Sequence, residues 1–196
     1  FAGNIIKPKI SKLKLDLRGL FYIPRIIKAS KLGDAAILKV LIKILSENKI
    51  KVIKLNTFNP ELTLKKGIYT KIKPTLFEKE QIIKGIKMLK KINSYNHTQA
   101  VIIRDNKVVS KETRKGTKAM IKSNLKSKIE RGILIKMPKA KQDLRVDLPT
   151  IGIETFKDCN KAGIKGIVVK SNQNIILNKE VSIKYANQNK LFLIAI

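Results

Sequence analysis

Between Lys136 and Gly152 the chain reads Lys-Met-Pro-Lys-Ala-Lys-Gln-Asp-Leu-Arg-Val-Asp-Leu-Pro-Thr-Ile-Gly. Two carboxylates, Asp143 and Asp147, stand there with the guanidinium of Arg145 and the amines of Lys136, Lys139 and Lys141. Hydrolysis of a phosphate ester or a pyrophosphate calls on such groups. A carboxylate-held Mg²⁺ neutralises developing charge while a positioned water attacks in line. Arginine and lysine hold phosphate oxygens. In an extended loop Arg145 and Asp147 would point to one face, with Asp143 as a further carboxylate on it. Pro149 then fixes the entry of a helix, Thr150 caps it, and its N-terminus offers an anion site. The same residues also describe a plain solvated loop with a helix cap, and composition does not separate the two readings.

The elements around this strip follow from hydrophobic spacing. Ile133 to Ile135 is a short strand feeding the strip, and a helix from Thr150 to Ala162 leaves it and ends at Gly163. Before it, Gly33-Asp34 opens a helix with Ile37, Val40, Leu41, Ile44 and Leu45 inward and Lys39 and Lys43 off that stripe. Pro24 starts a short helix through Ser30, and Ile50 to Leu55 reads as a strand. Glu78 to Ile92 is a second amphipathic helix with Ile82, Ile83, Ile86 and Leu89 inward. Ala100–Ile103 and Lys107–Val109 form a strand pair about Asp105-Asn106. Gly116-Thr117 starts a helix carrying Met120, Ile121, Leu125 and Ile129 and closed by Gly132. Strands at 164–169, 175–177 and 191–196 and a helix at 178–188 complete the chain. Alternating strands and helices of this kind make an α/β protein.

The chain has 196 residues and is 43% hydrophobic, enough for a real core. Its 43 Lys and Arg against 14 Asp and Glu leave +29, a charge that attracts any polyanion. The cations are spread along the chain rather than gathered in one block, and AT-rich codons favour the same Lys, Ile and Asn. With aromatics at 5% and no Trp, no recognisable nucleic-acid motif stands out, so specific nucleic-acid binding is not expected. The single Cys159 excludes an intramolecular disulfide and a Cys-based zinc site and suits a reducing compartment. It reads as a small core residue, and His97 as a surface or structural one. No signal peptide is visible, and no apolar run reaches the roughly 20 residues of a membrane helix.

The strip also resembles the signature of the Mg²⁺-dependent UDP-2,3-diacylglucosamine pyrophosphatases of lipid A biosynthesis, the two-domain kind. That pattern is Lys-x-Pro-Lys-x-x-Gln-Asp-x-Arg-Val-Asp-Leu-Pro-Thr-Ile-Gly, and residues 136–152 keep every named position. Further matches run in order: Phe1-Ala2-Gly3-Asn4 with Pro8, Arg18-Gly19-Leu20, Pro24 and Gly33-Asp34. Gln99-Ala100-Val101, Glu112, Gly116-Thr117, Ala119-Met120, Ala162-Gly163 and Gly166-Ile167 follow. The resemblance implies a Rossmann-like N-terminal domain, incomplete here over residues 1–63, a linker at 64–73 and a distinct α/β catalytic domain at 74–196. The first strands and helices of the family's N-terminal domain are missing from this comparison, so an N-terminally truncated copy is expected.

By the same resemblance Asp147 is the catalytic residue, by binding Mg²⁺ or activating water. Asp143, Asp34 and Glu112 are candidate metal ligands beside it. Lys136, Lys139, Gln142, Arg145, Thr150, Gly3, Asn4, Gly116, Thr117 and Gln99 are candidate substrate contacts. A homodimer in the cytoplasm, in peripheral contact with the anionic inner membrane, is implied as well. The chain departs from the family pattern where Ala35 and Lys118 replace acids and Lys115 stands where Glu is common. Two other readings remain open: a non-catalytic or decayed copy of the enzyme, and a basic nucleic-acid-binding protein.

Overall fold

The computed structural model describes residues 13–95, 98–125, 132–140 and 142–196, with the backbone alone for Asp34 and 93–95. Phe1, Ala2, Gly3, Asn4, Pro8, His97, Ile129 and Lys141, all considered above, lie outside the described residues. The chain is a mixed α/β protein that divides into two compact units. One holds residues 1–58 together with Asp143–Asp147, and the other holds 59–142 and 148–196.

In the first unit, α1 (Leu17–Ser30) begins at Asp16, whose side chain accepts from the Gly19 amide at 2.7 Å. That cap starts the helix well before Pro24, the expected start. Pro24 instead lies inside α1, where it withholds one amide from the helical ladder and its ring crowds the Leu20 carbonyl. A short link through Gly33, at φ 103°, leads into α2 (Asp34–Glu47). The two helices pack side by side in antiparallel sense. Arg25 reaches back to Glu47 in a fork of 2.6 and 2.9 Å, and Asn48 donates to the Tyr22 hydroxyl at 2.9 Å. The expected strand at Ile50–Leu55 does not form. The Ile50 amide closes the end of α2 on the Leu45 carbonyl at 2.9 Å, residues 51–54 take no regular structure, and the chain runs into the single turn α3 (Leu55–Phe58). Among the described residues this unit contains helices and no strand.

The second unit is built on a six-stranded sheet. Its elements in order are β1 (Gly67–Ile68), α4 (Leu76–Tyr95), β2 (Ala100–Arg104), β3 (Lys107–Lys111), α5 (Gly116–Lys122) and β4 (Gly132–Lys136). Then come β5 (Thr150–Ile151), α6 (Ile153–Lys161), β6 (Ile164–Val169), β7 (Ile175–Ile176), α7 (Lys179–Gln188) and β8 (Phe192–Ala195). The strand order is β1-β8-β6-β4-β2-β3, with β4, β6 and β8 parallel and the outer pairings antiparallel. β5 and β7 form a separate parallel pair. The β2–β3 turn puts Asp105 and Asn106 at φ 45° and 62°, the left-handed pair that a tight hairpin needs.

Period-two alternation divides the core into two faces. Val101, Ile103, Ile133, Ile135 and Phe192 pack with Ile82 and Leu89 of α4. Ala100, Ile102, Leu134, Ile164 and Leu193 pack on the opposite side with α5, α6 and α7. Gly85 lets α4 lie close to the sheet, since a Cβ there would run into Ile135. Gly166 lies under the ring of Phe192 for the same reason. Leu64, inside the expected linker, is fully buried in this core, and β1 extends the sheet there. Ile83 faces solvent, unlike its expected inward position, and so does Leu125 beyond α5. Gly132 belongs to β4 rather than to a helix end.

Candidate functional site

The strip divides between the two units. Asp143–Asp147 belongs to the first, and both flanks belong to the second. Within Asp143–Asp147 the backbone is a helical turn, not the extended loop expected. The amides of Val146 and Asp147 both donate to the Asp143 carbonyl, at 3.1 and 3.0 Å. The Asp143 carboxylate caps this turn by accepting from the Arg145 amide at 3.0 Å. It also takes Arg145 Nε at 3.0 Å and Nη2 at 2.7 Å. Arg145 therefore pairs with Asp143 and not with Asp147, because a turn, unlike a strand, brings the guanidinium back onto the capping residue. The Arg145 guanidinium is the main reason that the Asp143 carboxyl ionises below the usual carboxylate range. Lys39 on α2 adds a smaller pull in the same direction.

Asp147 follows Asp143 by four residues, so the turn carries both carboxylates on one side. Its own carboxylate makes no hydrogen bond or ion pair among the described residues, and it is half-buried. Of the acids on the strip, it alone is uncommitted.

In the second unit, a chain of polar groups closes the carboxyl end of β4. Lys136 follows Leu134 by two residues and so faces the same side of the sheet, towards α5 and β5. It is 7% exposed, which contradicts a plain surface role. Its ammonium donates to Thr117 Oγ1 at 2.9 Å and to the Thr150 carbonyl at 3.1 Å. The Thr117 hydroxyl in turn donates to Glu112 Oε1 at 2.6 Å. Glu112, also 7% exposed, takes the Gln99 amide on Oε2 at 3.1 Å. Each buried charge thus has polar partners, as burial demands. Carboxyl ends of parallel strands are where open α/β sheets meet their ligands.

Other expected site residues take more local roles. Thr150 lies in β5 and donates to the Leu148 carbonyl at 3.1 Å; it does not cap a helix. The cap of α6 is Gly152, whose amide donates to Thr155 Oγ1 at 3.4 Å. Strand pairing with β7 holds Thr150 extended, so the helix starts three residues later than expected. Gln142 folds onto its own turn, its Oε1 accepting from the Lys139 amide at 2.8 Å. Gln99 contributes its backbone, while its side-chain oxygen is buried without a partner among the described residues. Gly116 is the first residue of α5, and Lys118, the departure from the family acid, is exposed on its first turn. Sequence reasoning missed the Glu112–Thr117–Lys136 chain. The signal was there in Lys136, a cation at a core-facing position of an apolar strand.

No cluster of three or more His, Cys, Asp or Glu side chains gathers among the described residues. A Mg²⁺ site built on one carboxylate and substrate phosphates needs no such cluster. The free carboxylate of Asp147 fits that kind of site. Glu112, with both oxygens bonded, and Asp143, held by Arg145, are already engaged.

The described residues form an α/β protein whose strip combines cations with an uncommitted carboxylate, groups of the kind that enzymes acting on phosphates use. Comparison with known families gives the particular one. Residues 1–62 match the LpxI N-terminal domain and residues 65–194 the LpxI C-terminal domain, so the chain belongs to the LpxI family. It is 30% identical over 204 aligned positions to the UDP-2,3-diacylglucosamine pyrophosphatase LpxI of Caulobacter vibrioides. The alignment covers 100% of this chain and 73% of that relative.

Proposed function

We propose that the chain hydrolyses the pyrophosphate of UDP-2,3-diacylglucosamine in lipid A biosynthesis, with Mg²⁺. Water adds to the α-phosphorus, the bridging P–O bond breaks, and UMP and 2,3-diacylglucosamine 1-phosphate leave. The observation that carries this reading is Asp147, whose carboxylate is uncommitted among the described residues while Asp143 is held by Arg145. Its carboxylate is available to hold the cation or to take the proton of the attacking water. Bound there, Mg²⁺ would neutralise charge developing on the pyrophosphate oxygens. Lys136 and Lys139 supply cations for phosphate oxygens, and Asp143 with Arg145 keeps the turn that presents Asp147. A Rossmann-like form for the first unit and a homodimer belong to the same reading.

The test is release of UMP from UDP-2,3-diacylglucosamine with Mg²⁺, compared between the native chain and Asp147→Ala. Turnover that survives Asp147→Ala would end this assignment. A cytoplasmic enzyme with an acylated substrate would work at a membrane surface. No helix among the described residues is long and apolar enough to cross one. The surface of α1 supports a peripheral contact: Leu17, Leu20 and Phe21 are exposed beside Arg18, Lys28 and Lys31.

A further inference from the structure

The geometry points to Thr117 as a positioning residue that holds the Lys136 ammonium at the carboxyl end of β4, with Glu112 as its buried counter-charge rather than a metal ligand. The inference rests on the proposed pyrophosphatase reading for its substrate, a nucleotide-linked pyrophosphate.

The bonding admits one arrangement. An ammonium can only donate and a carboxylate can only accept, whereas a hydroxyl has one proton and two lone pairs. The Thr117 proton must therefore go to Glu112 Oε1, at 2.6 Å, and a lone pair must face Lys136 Nζ, at 2.9 Å. A hydroxyl polarised by charges on both sides is held more firmly than either bond alone would hold it. Glu112 is fixed in its turn. Its amide donates to the Ala100 carbonyl at 2.9 Å, its carbonyl accepts from Thr98 Oγ1 at 3.0 Å, and Oε2 takes the Gln99 amide. Binding a cation through this carboxylate would disturb bonds that anchor β2 and α5 together. The Thr150 carbonyl, 3.1 Å from Nζ, ties Lys136 to the far flank of the strip.

Two nearly buried charges bridged by a hydroxyl cost desolvation that the bonds merely offset, so the arrangement is poorly explained as a device for stability. It serves placement. A lysine stem has four rotatable carbons and, left alone, spreads its charge over many positions. Fixed by Thr117, the ammonium lowers the energy of charge that builds on a phosphoryl group as its P–O bond breaks.

The experiment uses the full chain with Thr117→Val, which removes the hydroxyl at nearly constant shape, and Thr117→Ser, which keeps it. Thr117→Ala replaces Val if that variant does not fold. The first readout needs no substrate: the ¹⁵N signal of the Lys136 ammonium, assigned through Lys136→Arg. It should be slow to exchange in the native chain and in Thr117→Ser, and lost or shifted in Thr117→Val. The second readout is UMP release. Thr117→Val should lose on the order of 10–100-fold in kcat with KM within about two-fold, and Thr117→Ser should recover most of it. The thermal midpoint should fall for Thr117→Val, because two buried charges each lose a partner, and stay near the native value for Thr117→Ser, so kinetics are read well below both midpoints. An unchanged ammonium signal overturns the inference. So does a kcat that survives Thr117→Val, a loss seen only in KM, or a failure of Ser to rescue. If the native chain releases no UMP, the pyrophosphatase reading has failed, while the ammonium signal still decides whether Thr117 holds Lys136.

Discussion

Arg145 grips Asp143 with two parallel bonds, Nε to Oδ1 at 3.0 Å and Nη2 to Oδ2 at 2.7 Å. The pair lies within one turn, and it divides the roles of the two strip carboxylates. Asp143 is committed to holding the turn, and Asp147 keeps a carboxylate without a side-chain bond among the described residues. The Arg145 side chain is the first cause of the lowered Asp143 pKa, with the Arg145 amide helping and partial burial opposing. A folded value below the unfolded one, about 3.9, stabilises the native state fully above that pH. The contribution disappears as pH falls through the lowered native value. Carboxyl NMR should find Asp143 titrating below the ordinary aspartate range, and Arg145→Gln should bring it back up. An Asp143 that titrates normally in the native chain would contradict the fork.

Asp147 carries no side-chain bond among the described residues, so its loss should touch activity and spare the fold. Asp147→Asn keeps the shape and removes the charge. UMP release should fall by about 100-fold or more, with the melting temperature within about 2 °C of the native chain. Asp143→Asn should do the reverse, loosening the turn and lowering activity only partially. Equal losses from the two substitutions would show that the carboxylates share one role.

The second unit was largely legible in the sequence because its central strands β2, β4 and β6 are short apolar runs buried on both faces and its β2–β3 turn has turn residues. Asp105-Asn106 marks the hairpin, and Ile133–Ile135 and 164–169 are nearly unbroken Ile and Val. The first unit was harder. Lys alternating with Leu ahead of α1 gives no clear period, and the Asp16 cap, not spacing, sets where the helix starts. Ile50–Leu55 has strand composition, but no neighbouring strand among the described residues offers it a ladder. At the site, the signature strip located the chemistry, while pairing within it depended on a turn that residue spacing does not encode. The expected strand, ending at Ile135, stops one residue short of Lys136 and so passes over the cation that continues its core-facing row.

Close packing of the sheet gives a comparison of two glycines. A Cβ at Gly85 meets the end of one flexible side chain, Ile135, whereas one at Gly166 meets the buried ring of Phe192 at several atoms. Overpacking costs about 1–3 kcal/mol where nothing can yield. Gly166→Ala should therefore destabilise by about that amount, and Gly85→Ala by less. Chemical denaturation midpoints test the order, and a larger loss at Gly85 would refute it.

Lys118 places a cation in the first turn of α5, which has no acid there. Charge of that sign opposes the helix dipole by about 0.3–1 kcal/mol. Lys118→Asp reverses it and restores the acid of the family pattern. The variant should melt slightly higher than the native chain and reach half-maximal UMP release at a lower Mg²⁺ concentration. An unchanged Mg²⁺ dependence would remove the acid at this position from the account of metal binding.

The exposed side of α1 is where the proposed contact with a lipid surface is tested. Leu17, Leu20 and Phe21 fall one helical turn apart and face solvent, Leu17 at 86% and Phe21 at 71% exposure. Lys28 and Lys31 continue the same side towards the end of the helix. Apolar groups seated among the headgroups and cations facing anionic phosphates would act together. Sedimentation with vesicles containing phosphatidylglycerol should carry the chain down at low salt, less so as salt rises, and hardly at all with neutral vesicles. Leu20→Ser with Phe21→Ser should weaken binding most at raised salt, where screening removes the electrostatic part of a +29 chain and the apolar contact remains. If the double substitution leaves vesicle binding unchanged, general charge and not α1 makes the contact.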